Sequence, residues 1–224
     1  MLKRLYIDNI RSLVNFELRP EQVAALVGPN GGGKSSVYQT LGAVTQFLQS
    51  GSKVGDAFPS FSLTRWQSRP VQRIELDVTT AMGEYTYALE VDHEAQHPAI
   101  KNETLSADGR VFYRLSKNEV SLFGDEPEED PLTRFPFAGG RSYLPQVEPR
   151  GDNRRLIDFL KWVNGIWRFS LMPREITALS DREDASLAET GRNFVSWYRH
   201  IHQERPSVRD RLLKDLSPVI AGLE

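Results

Sequence analysis

Apolar and polar positions alternate along the first part of the chain in the way that is typical of β-strands. Val14, Phe16 and Leu18 alternate with polar neighbours, and residues 2–10 show the same tendency. The run 23–27, Val-Ala-Ala-Leu-Val, is continuously apolar. Because a strand that is buried on both faces needs apolar side chains on both, this run predicts a fully buried central strand.

A glycine-rich turn at residues 28–33 separates these strands from a predicted helix. Apolar side chains recur at helical spacing over residues 35–49, which predicts an amphipathic helix there. These side chains are Val37, Leu41, Val44 and Leu48. Residues 50–72 contain Gly, Pro and Ser without a period, so they predict a loop.

Period-two alternation returns from residue 73 to about residue 123 and predicts an antiparallel meander of three to five strands. Turn signals interrupt the alternation at 81–83 and at 107–109, and the Ala-Asp-Gly of the second is typical of a hairpin. Residues 124–141 open with the acidic run 125–130 and predict an exposed loop.

The last third of the chain shows helical spacing instead. Apolar stripes that start at Leu156 and at Phe194 predict two helices, and Pro206 opens a further helical segment. The pattern therefore predicts two parts, a strand-rich lobe at 1–147 and a helical region at 148–224.

Composition excludes several classes of protein. The 224 residues are 39% hydrophobic and 26% charged, which fits a folded chain and argues against wholesale disorder. The absence of cysteine excludes disulfide scaffolds, thiolate metal centres and cysteine nucleophiles. No apolar run approaches the roughly 18 residues of a membrane span. The charged, alternating start does not look like a signal peptide, so we expect a cytoplasmic location.

Residues 28–35, Gly-Pro-Asn-Gly-Gly-Gly-Lys-Ser, match the phosphate-binding pattern G-x-x-x-x-G-K-[ST] without a mismatch. Glycines let backbone N–H groups approach phosphate oxygens, and the start of the following helix adds partial positive charge. Lys34 can reach the β- and γ-phosphates, and the Ser35 hydroxyl is suited to ligate Mg²⁺. The alternative is a glycine-rich turn that matches by chance, but the predicted strand before it and helix after it favour a nucleotide site. The predicted binding residues are Gly28, Pro29, Asn30, Gly31, Gly32, Gly33, Lys34, Ser35 and Ser36.

The form G-P-N-G-x-G-K-S resembles the P-loop of ABC-type ATPases, in particular the RecF, SMC and OLD-like group of DNA-repair and phage-defence proteins. Residues 5–13, Leu-Tyr-Ile-Asp-Asn-Ile-Arg-Ser-Leu, look like the L-x-I-x-N-F-R-S opening of that group, with Ile10 in place of Phe. Residues 190–194, Thr-Gly-Arg-Asn-Phe, are more weakly similar to a G-x-N element of OLD-like ATPases. The resemblance covers most of the chain in layout and is specific only at 5–13 and 28–35.

This resemblance implies a P-loop NTPase fold of the α/β class, an ABC-ATPase-like N-terminal lobe with an antiparallel meander before a helical region. It implies that ATP and Mg²⁺ bind, that Arg11 faces the nucleotide and that Lys34 is catalytic, stabilising charge on the γ-phosphate. In such folds a glutamine between the two lobes holds Mg²⁺ together with the residue at Ser35. Gln146 is the leading candidate for this catalytic, metal-holding residue, and Gln72 is the second.

The family also implies partners, because its heads engage in pairs around two ATP molecules. Catalysis there requires a signature segment, an apolar strand that ends in Asp-Glu, and a switch histidine, and we find none of these in the sequence. Residues 121–127 imitate the Asp-Glu end, but Ser121 and Gly124 break the apolar run. We therefore expect this chain to be the N-terminal part of an ATPase whose C-terminal half is missing. The chain alone is expected to be inactive, and the full protein is expected to form a homodimer through ATP. Whether DNA is a partner stays open.

Two other functions also stay open at this point. A self-contained P-loop NTPase or kinase would use Asp77 or Asp125 for Mg²⁺, although kinases of this class keep parallel strands. A non-catalytic binding module would keep the loop for structure alone.

Two further sets of side chains are relevant to binding, the histidines and a group of basic residues. The four histidines do not have metal-site spacing. Basic residues near position 150 are a candidate contact for nucleic acid, with tryptophans among them to stack on bases. They are Arg150, Arg154, Arg155, Lys161 and Arg168, with Trp162 and Trp167. The net charge of −2 argues against a dedicated nucleic-acid module.

Overall fold

The computed structural model describes residues 1–95, 97–127 and 130–218. Two glutamates of the predicted acidic run, Glu128 and Glu129, lie outside the described residues, as do residues 219–224 of the predicted helical region. The chain forms two compact units, Met1–Ile166 and Trp167–Glu224.

The first unit is built on an antiparallel sheet, and the described residues contribute eight strands to it. Its order is β2-β1-β3-β4-β5-β6-β7-β8. The strands are β1 Leu2–Asp8, β2 Phe16–Leu18, β3 Val71–Thr80, β4 Gly83–Asp92, β5 Ala99–Ala107, β6 Arg110–Ser116, β7 Glu119–Leu122 and β8 Thr133–Pro136. The fold is therefore a mixture of α and β structure around an antiparallel sheet.

The predicted meander is present and longer than expected, because six consecutive strands, β3 to β8, pair in chain order. The predicted hairpin turn joins β5 to β6, and Asp108 and Gly109 both adopt positive φ there. Strand β8 lies in the segment that was predicted to be a loop. Phe135 in β8 pairs with Val120 and packs edge-on against Tyr143, with ring centroids 4.9 Å apart. This contact attaches the short strand to the core.

One face of the sheet is buried and the other carries ion pairs. Tyr87 and Leu89 of β4 are fully buried, and the Tyr87 ring stacks on Phe159 at 5.9 Å. On the opposite face, Arg4 pairs with Glu75 at 2.5 Å and with Asp77 at 2.6 Å. Since antiparallel sheets commonly bury only one side, the strict alternation along these strands follows directly.

The described helices are α1 Lys34–Ser50, α2 Val54–Ala57, α3 Arg154–Asn164, α4 Phe194–Glu204 and α5 Pro206–Leu216. Helices α1 and α3 belong to the first unit, where the Gln49 side chain donates to the Val163 carbonyl at 2.9 Å. This packing places the division of the chain after Ile166 and not after residue 147. None of the described helices is long and apolar enough to cross a membrane.

The start of α3 is capped by an acidic side chain from the preceding loop. The Asp125 carboxylate accepts hydrogen bonds from the backbone N–H groups of Arg154, at 2.8 Å, and Arg155, at 3.1 Å. A carboxylate in this position satisfies orphan donors and complements the helix dipole. The exposed loop predicted from 124 therefore contains a structural anchor at its first acidic residue.

The strand predicted at 23–27 is not formed. Residues 19–27, here called the approach segment, have no strand structure, and the Val23 and Val27 side chains are 88% and 89% exposed. A strand that is buried on both faces needs hydrogen-bonded neighbours, and the described strands all lie in the antiparallel sheet, which leaves none beside this segment.

Candidate functional site

The turn between β1 and β2 is held rigidly by a buried asparagine. Asn9 is fully buried with φ of 62°, and its amide donates to the carbonyls of Arg69 at 2.6 Å and Val71 at 3.0 Å. Ile10 and Leu13 then close a tight turn through reciprocal backbone hydrogen bonds of 3.1 and 2.8 Å. The turn therefore presents residues 11–13 in a fixed arrangement.

The glycine-rich loop packs its last residue against this turn. Gly33 has φ of 89° and immediately precedes α1, where its carbonyl accepts from the Val37 N–H at 3.0 Å. A Cβ at this position would stand 3.1 Å from Leu13 Cδ2 and 3.3 Å from Ser12 Oγ. Glycine is required here both for the left-handed backbone and for the close approach.

Lys34 folds back over the loop that precedes it. Its ammonium donates to the carbonyls of Gly28 and Pro29, each at 2.7 Å. These hydrogen bonds hold the positive charge directly above the glycine-rich turn. A lysine ammonium is a compact positive charge of the kind that pairs with a phosphate group.

The N-terminus of α1 is open to an anion. It has no side-chain cap and no acidic residue in its first turn. Ser35 is exposed, and the Ser36 hydroxyl lies 3.4 Å from the hydroxyl of Ser12. Free N–H groups and the helix dipole make such an end a natural phosphate site. The loop glycines, Lys34 and Ser35 therefore lie at an uncapped helix end, and their binding of a phosphate stays a prediction.

The structure places Arg11 close to this site and Gln146 far from it. Arg11 is next to Ser12, and its backbone N–H donates to the Ser62 carbonyl at 2.6 Å. Gln146 follows Pro145, which lies 3.7 Å from the Cβ position of Gly51, at the opposite end of α1. The 17 residues of α1 span about 25 Å, so Gln146 and Ser35 are not brought together.

Gln72, the second candidate for the metal-holding glutamine, is occupied elsewhere. It is fully buried, and its amide nitrogen donates to the Ser62 hydroxyl at 2.9 Å. Its amide oxygen lies within hydrogen-bond distance of His93 Nε2, at 3.0 Å. Burial lowers the pKa of His93 from its ordinary value. This network braces the loop before β3 and leaves Gln72 no free group for an ion.

The carboxylates considered for a self-contained enzyme have structural partners. Asp77 pairs with Arg4 on the sheet, and Asp125 caps α3. Across the described residues, no three acidic or histidine side chains are grouped in a way that could hold a metal ion.

The basic residues considered for nucleic acid are partly neutralised. Arg155 pairs with Asp108 at 2.5 Å, and the hydrogen bond from Arg155 is the main cause that lowers the pKa of the Asp108 carboxyl. Arg154 lies 3.4 Å from Asp125, and Arg168 pairs with Glu189 in the second unit at 2.8 Å. Three of the five basic side chains are therefore engaged in ion pairs.

The weak G-x-N element organises a loop inside the second unit. Gly191 has φ of 74°, and the Asn193 amide donates to Asp184 at 2.9 Å and to the Ser186 carbonyl at 3.0 Å. Its carbonyl oxygen accepts from the Ala188 N–H at 2.7 Å. These bonds fix the entry to α4, which is a structural role.

Sequence reasoning missed the side chains that connect the motif at 5–13 with the loop at 28–35. Ser12 and Leu13 contact the position of Gly33, and Asn9 holds their turn in place. The sequence did contain a signal for them, because Asn9, Ser12 and Leu13 lie on either side of Arg11 within the motif at 5–13.

Comparison with known families gives a match over most of the chain. Residues 23–203 match the model of the family described as "AAA domain, putative AbiEii toxin, Type IV TA system". The matched range includes the loop at 28–35, α1 and the whole meander. It indicates a P-loop AAA-type domain with nucleotide-binding, ATPase-like function. A search of the curated proteins found no match.

Proposed function

We propose, from the premise that this chain belongs to that AAA domain family, that it is the ATP-binding part of a RecF/SMC/OLD-like ABC-type ATPase. MgATP binds at residues 28–36. Lys34 neutralises charge on the β- and γ-phosphates, Ser35 ligates Mg²⁺, and Arg11 approaches the nucleotide from the β1–β2 turn.

The observation that carries this proposal is the position of Lys34 above an uncapped helix end. Its ammonium is held at 2.7 Å from two loop carbonyls, and α1 begins without a competing acidic side chain. A loop kept only for structure would not need a lysine ammonium beside an uncapped helix end that already carries partial positive charge.

The approach segment supports the part of the proposal that concerns a partner. Val23 and Val27 are exposed directly before the loop, although their run has the composition of a buried strand. We propose that the C-terminal half of the ATPase supplies strands beside this segment. Two such assembled heads then form a homodimer through ATP and drive engagement.

The biological context is proposed to be defence in preference to DNA repair. The description of the matched family names a toxin of a toxin–antitoxin system, and three of the five basic residues considered for nucleic acid are engaged in ion pairs. DNA contact is therefore not needed to account for the described surface.

Calorimetric titration of the chain with MgATP tests the proposal. We expect binding that Lys34→Ala abolishes, whereas Lys53→Ala, which removes an exposed lysine beyond the other end of α1, leaves the affinity unchanged. Equal affinities for the parent chain and Lys34→Ala would contradict a nucleotide site at this loop.

A further inference from the structure

A cleft of about 690 Å³ lies in the first unit, near the end of α1 that is farthest from the glycine-rich loop. Lys53 borders it just before α2, His97 borders it before β5, and Phe137 and Arg141 belong to the segment after β8. The volume falls within the range of about 300–1,000 Å³ that is typical of small-molecule sites. None of the lining residues belongs to the glycine-rich loop, so the cleft is separate from the proposed nucleotide site.

One side of the cleft, residues 137–142, is fixed to the sheet and is here called the cleft wall. The Gly139 N–H donates to Asn118 Oδ1 at 3.2 Å, and the Ser142 hydroxyl donates to the fully buried carboxyl of Glu103 at 2.7 Å. A Cβ on Gly139 would stand 2.9 Å from a backbone carbonyl oxygen of β5, so the wall packs directly against that strand. Its residues are therefore in position before any ligand binds, which lowers the cost of binding.

Arg141 and Lys53 bring positive charge to the cleft. Arg141 donates from Nη1 to the Gly51 carbonyl at 3.0 Å, and a guanidinium has further N–H donors for a ligand. Within the described part of the chain, neither side chain forms an ion pair. Asp56 also lines the cleft, so the two cations exceed the carboxylate by one charge. This excess suits a ligand with one negative charge and not a polyphosphate.

Phe137 and Pro98 add apolar surface to the same cleft. The Phe137 ring packs edge-on against Tyr143, with ring centroids 5.3 Å apart, and Pro98 Cδ lies 3.5 Å from the Cβ position of Gly55. Both groups are therefore held by neighbours and lose little freedom when a ligand covers them. Apolar walls with a few charged groups are the usual lining of a site for a small organic molecule.

We propose that this cleft binds a small organic carboxylate with an aromatic or other apolar body. The carboxylate pairs with the Arg141 guanidinium, whose planar fork matches two carboxylate oxygens, and Lys53 adds a second positive charge. The apolar body lies against Phe137 and Pro98. This site is independent of the proposed function, because it uses no residue of the glycine-rich loop.

Titration of the isotope-labelled chain with naphthoate, followed by the NMR shifts of backbone amides, tests the site. We expect the amides of Gly55, Ala138 and Gly140 to shift, and those of residues 28–36 to stay unchanged. Acetate carries the charge without the ring, and naphthamide carries the ring without the charge. Each should bind at least about tenfold more weakly than naphthoate, because each lacks one of the two kinds of contact.

Substitutions of the two cations assign the charge contact. We expect Arg141→Ala to lower naphthoate affinity about tenfold, the usual loss for a hydrogen bond to a charged group. Lys53→Ala, a change at an exposed position that should not disturb folding, should give a smaller loss in the same direction. Arg134→Ala removes an arginine of β8 that does not line the cleft, and it should leave the affinity unchanged, as should Lys34→Ala.

Three results would each overturn the carboxylate site. They are no naphthoate binding at millimolar concentrations, amide shifts confined to residues outside the cleft, and parent-like affinity in both Arg141→Ala and Lys53→Ala. None of these results bears on the proposed function, which the MgATP titration tests separately.

Discussion

Two segments of similar apolar character have different structures in this protein. Strand β4, Gly83–Asp92, pairs with β3 and β5 along its length, and its apolar side chains are buried. The approach segment, residues 19–27, ends in the continuously apolar run 23–27 but is unpaired and exposed. The difference lies in the neighbours and not in the segments, because strand formation depends on partners that close the hydrogen-bond ladder.

The two regions are also expected to differ in role, the sheet in stability and the approach segment with its loop in function. The sheet and the helices packed on it form the folded body of the first unit, whereas the residues of the proposed phosphate site follow a segment that is exposed to water. Changes in the sheet should alter folding, whereas changes in the approach segment should leave folding intact. A larger loss of stability from changes in the approach segment than from changes in the sheet would contradict this contrast.

Removal of a core side chain should have the largest effect. Leu89→Ala empties a fully buried position, and we expect the free energy of unfolding to fall by about 2–5 kcal/mol. Val27→Ala removes a comparable branched side chain from the approach segment and should change it by less than about 0.5 kcal/mol. Urea denaturation of the two variants measures both values. Similar losses for both would mean that residue 27 is packed.

Removal of the cap on α3 should have an intermediate effect. Asp125→Ala leaves the N–H groups of Arg154 and Arg155 without their acceptor, and we expect a loss of about 1 kcal/mol in urea denaturation. Asp125→Asn retains an acceptor and should lose less. MgATP affinity should not change in either variant. A selective loss of Mg²⁺-dependent binding would instead favour the self-contained enzyme in which Asp125 holds the metal.

A buried carboxyl group in the sheet should give a smaller effect that depends on pH. Glu103 is fully buried and accepts hydrogen bonds from the hydroxyls of Tyr87, Tyr113 and Ser142 at 2.9, 2.7 and 2.7 Å. Burial raises the pKa of Glu103 above its ordinary value of 4.5, although the three hydroxyl donors oppose the rise. The folded state therefore favours the protonated carboxyl.

The sign of the pH dependence follows from this direction. The contribution of Glu103 to stability is full below about pH 4.5 and is lost as the pH rises through its raised pKa. We expect Glu103→Gln to gain stability relative to the parent chain as the pH increases from 4.5 to 7, measured by urea denaturation at each pH. Glu84→Gln, at an exposed position of β4, controls for the lost charge. Parallel curves for Glu103→Gln and the parent would contradict the prediction.

Local patterns predicted the parts of the fold that local forces determine. The stripe of α1 and the alternation of β3 to β5 are each readable within one segment, and the structure has them. The apolar run at 23–27 indicates only that these side chains are suited to burial. It does not indicate which neighbouring strands would bury them. Pattern reasoning therefore predicted a strand where the described chain supplies no neighbours.

The same limit applies to the candidate site, where sequence reasoning works within one segment and fails between segments. The loop at 28–35 is one contiguous motif that ends at the start of α1, so its residues could be named from sequence, and their role in binding stays a prediction. Gln146 was inferred from its place between two lobes, but position along the chain does not reveal that Pro145 packs at the far end of α1. The cap of α3 by Asp125 was hidden for a similar reason, since the two groups are almost thirty residues apart in sequence.

Hydrogen–deuterium exchange with and without MgATP tests the contrast between the two regions most directly. We expect backbone amides of residues 19–27 to exchange rapidly and those of β3 to β5 to be protected by orders of magnitude. MgATP should add protection at residues 28–36 in the parent chain and none in Lys34→Ala. Protection of residues 19–27 equal to that of β4, or no response to MgATP at residues 28–36, would contradict an unpaired segment that leads into a nucleotide site.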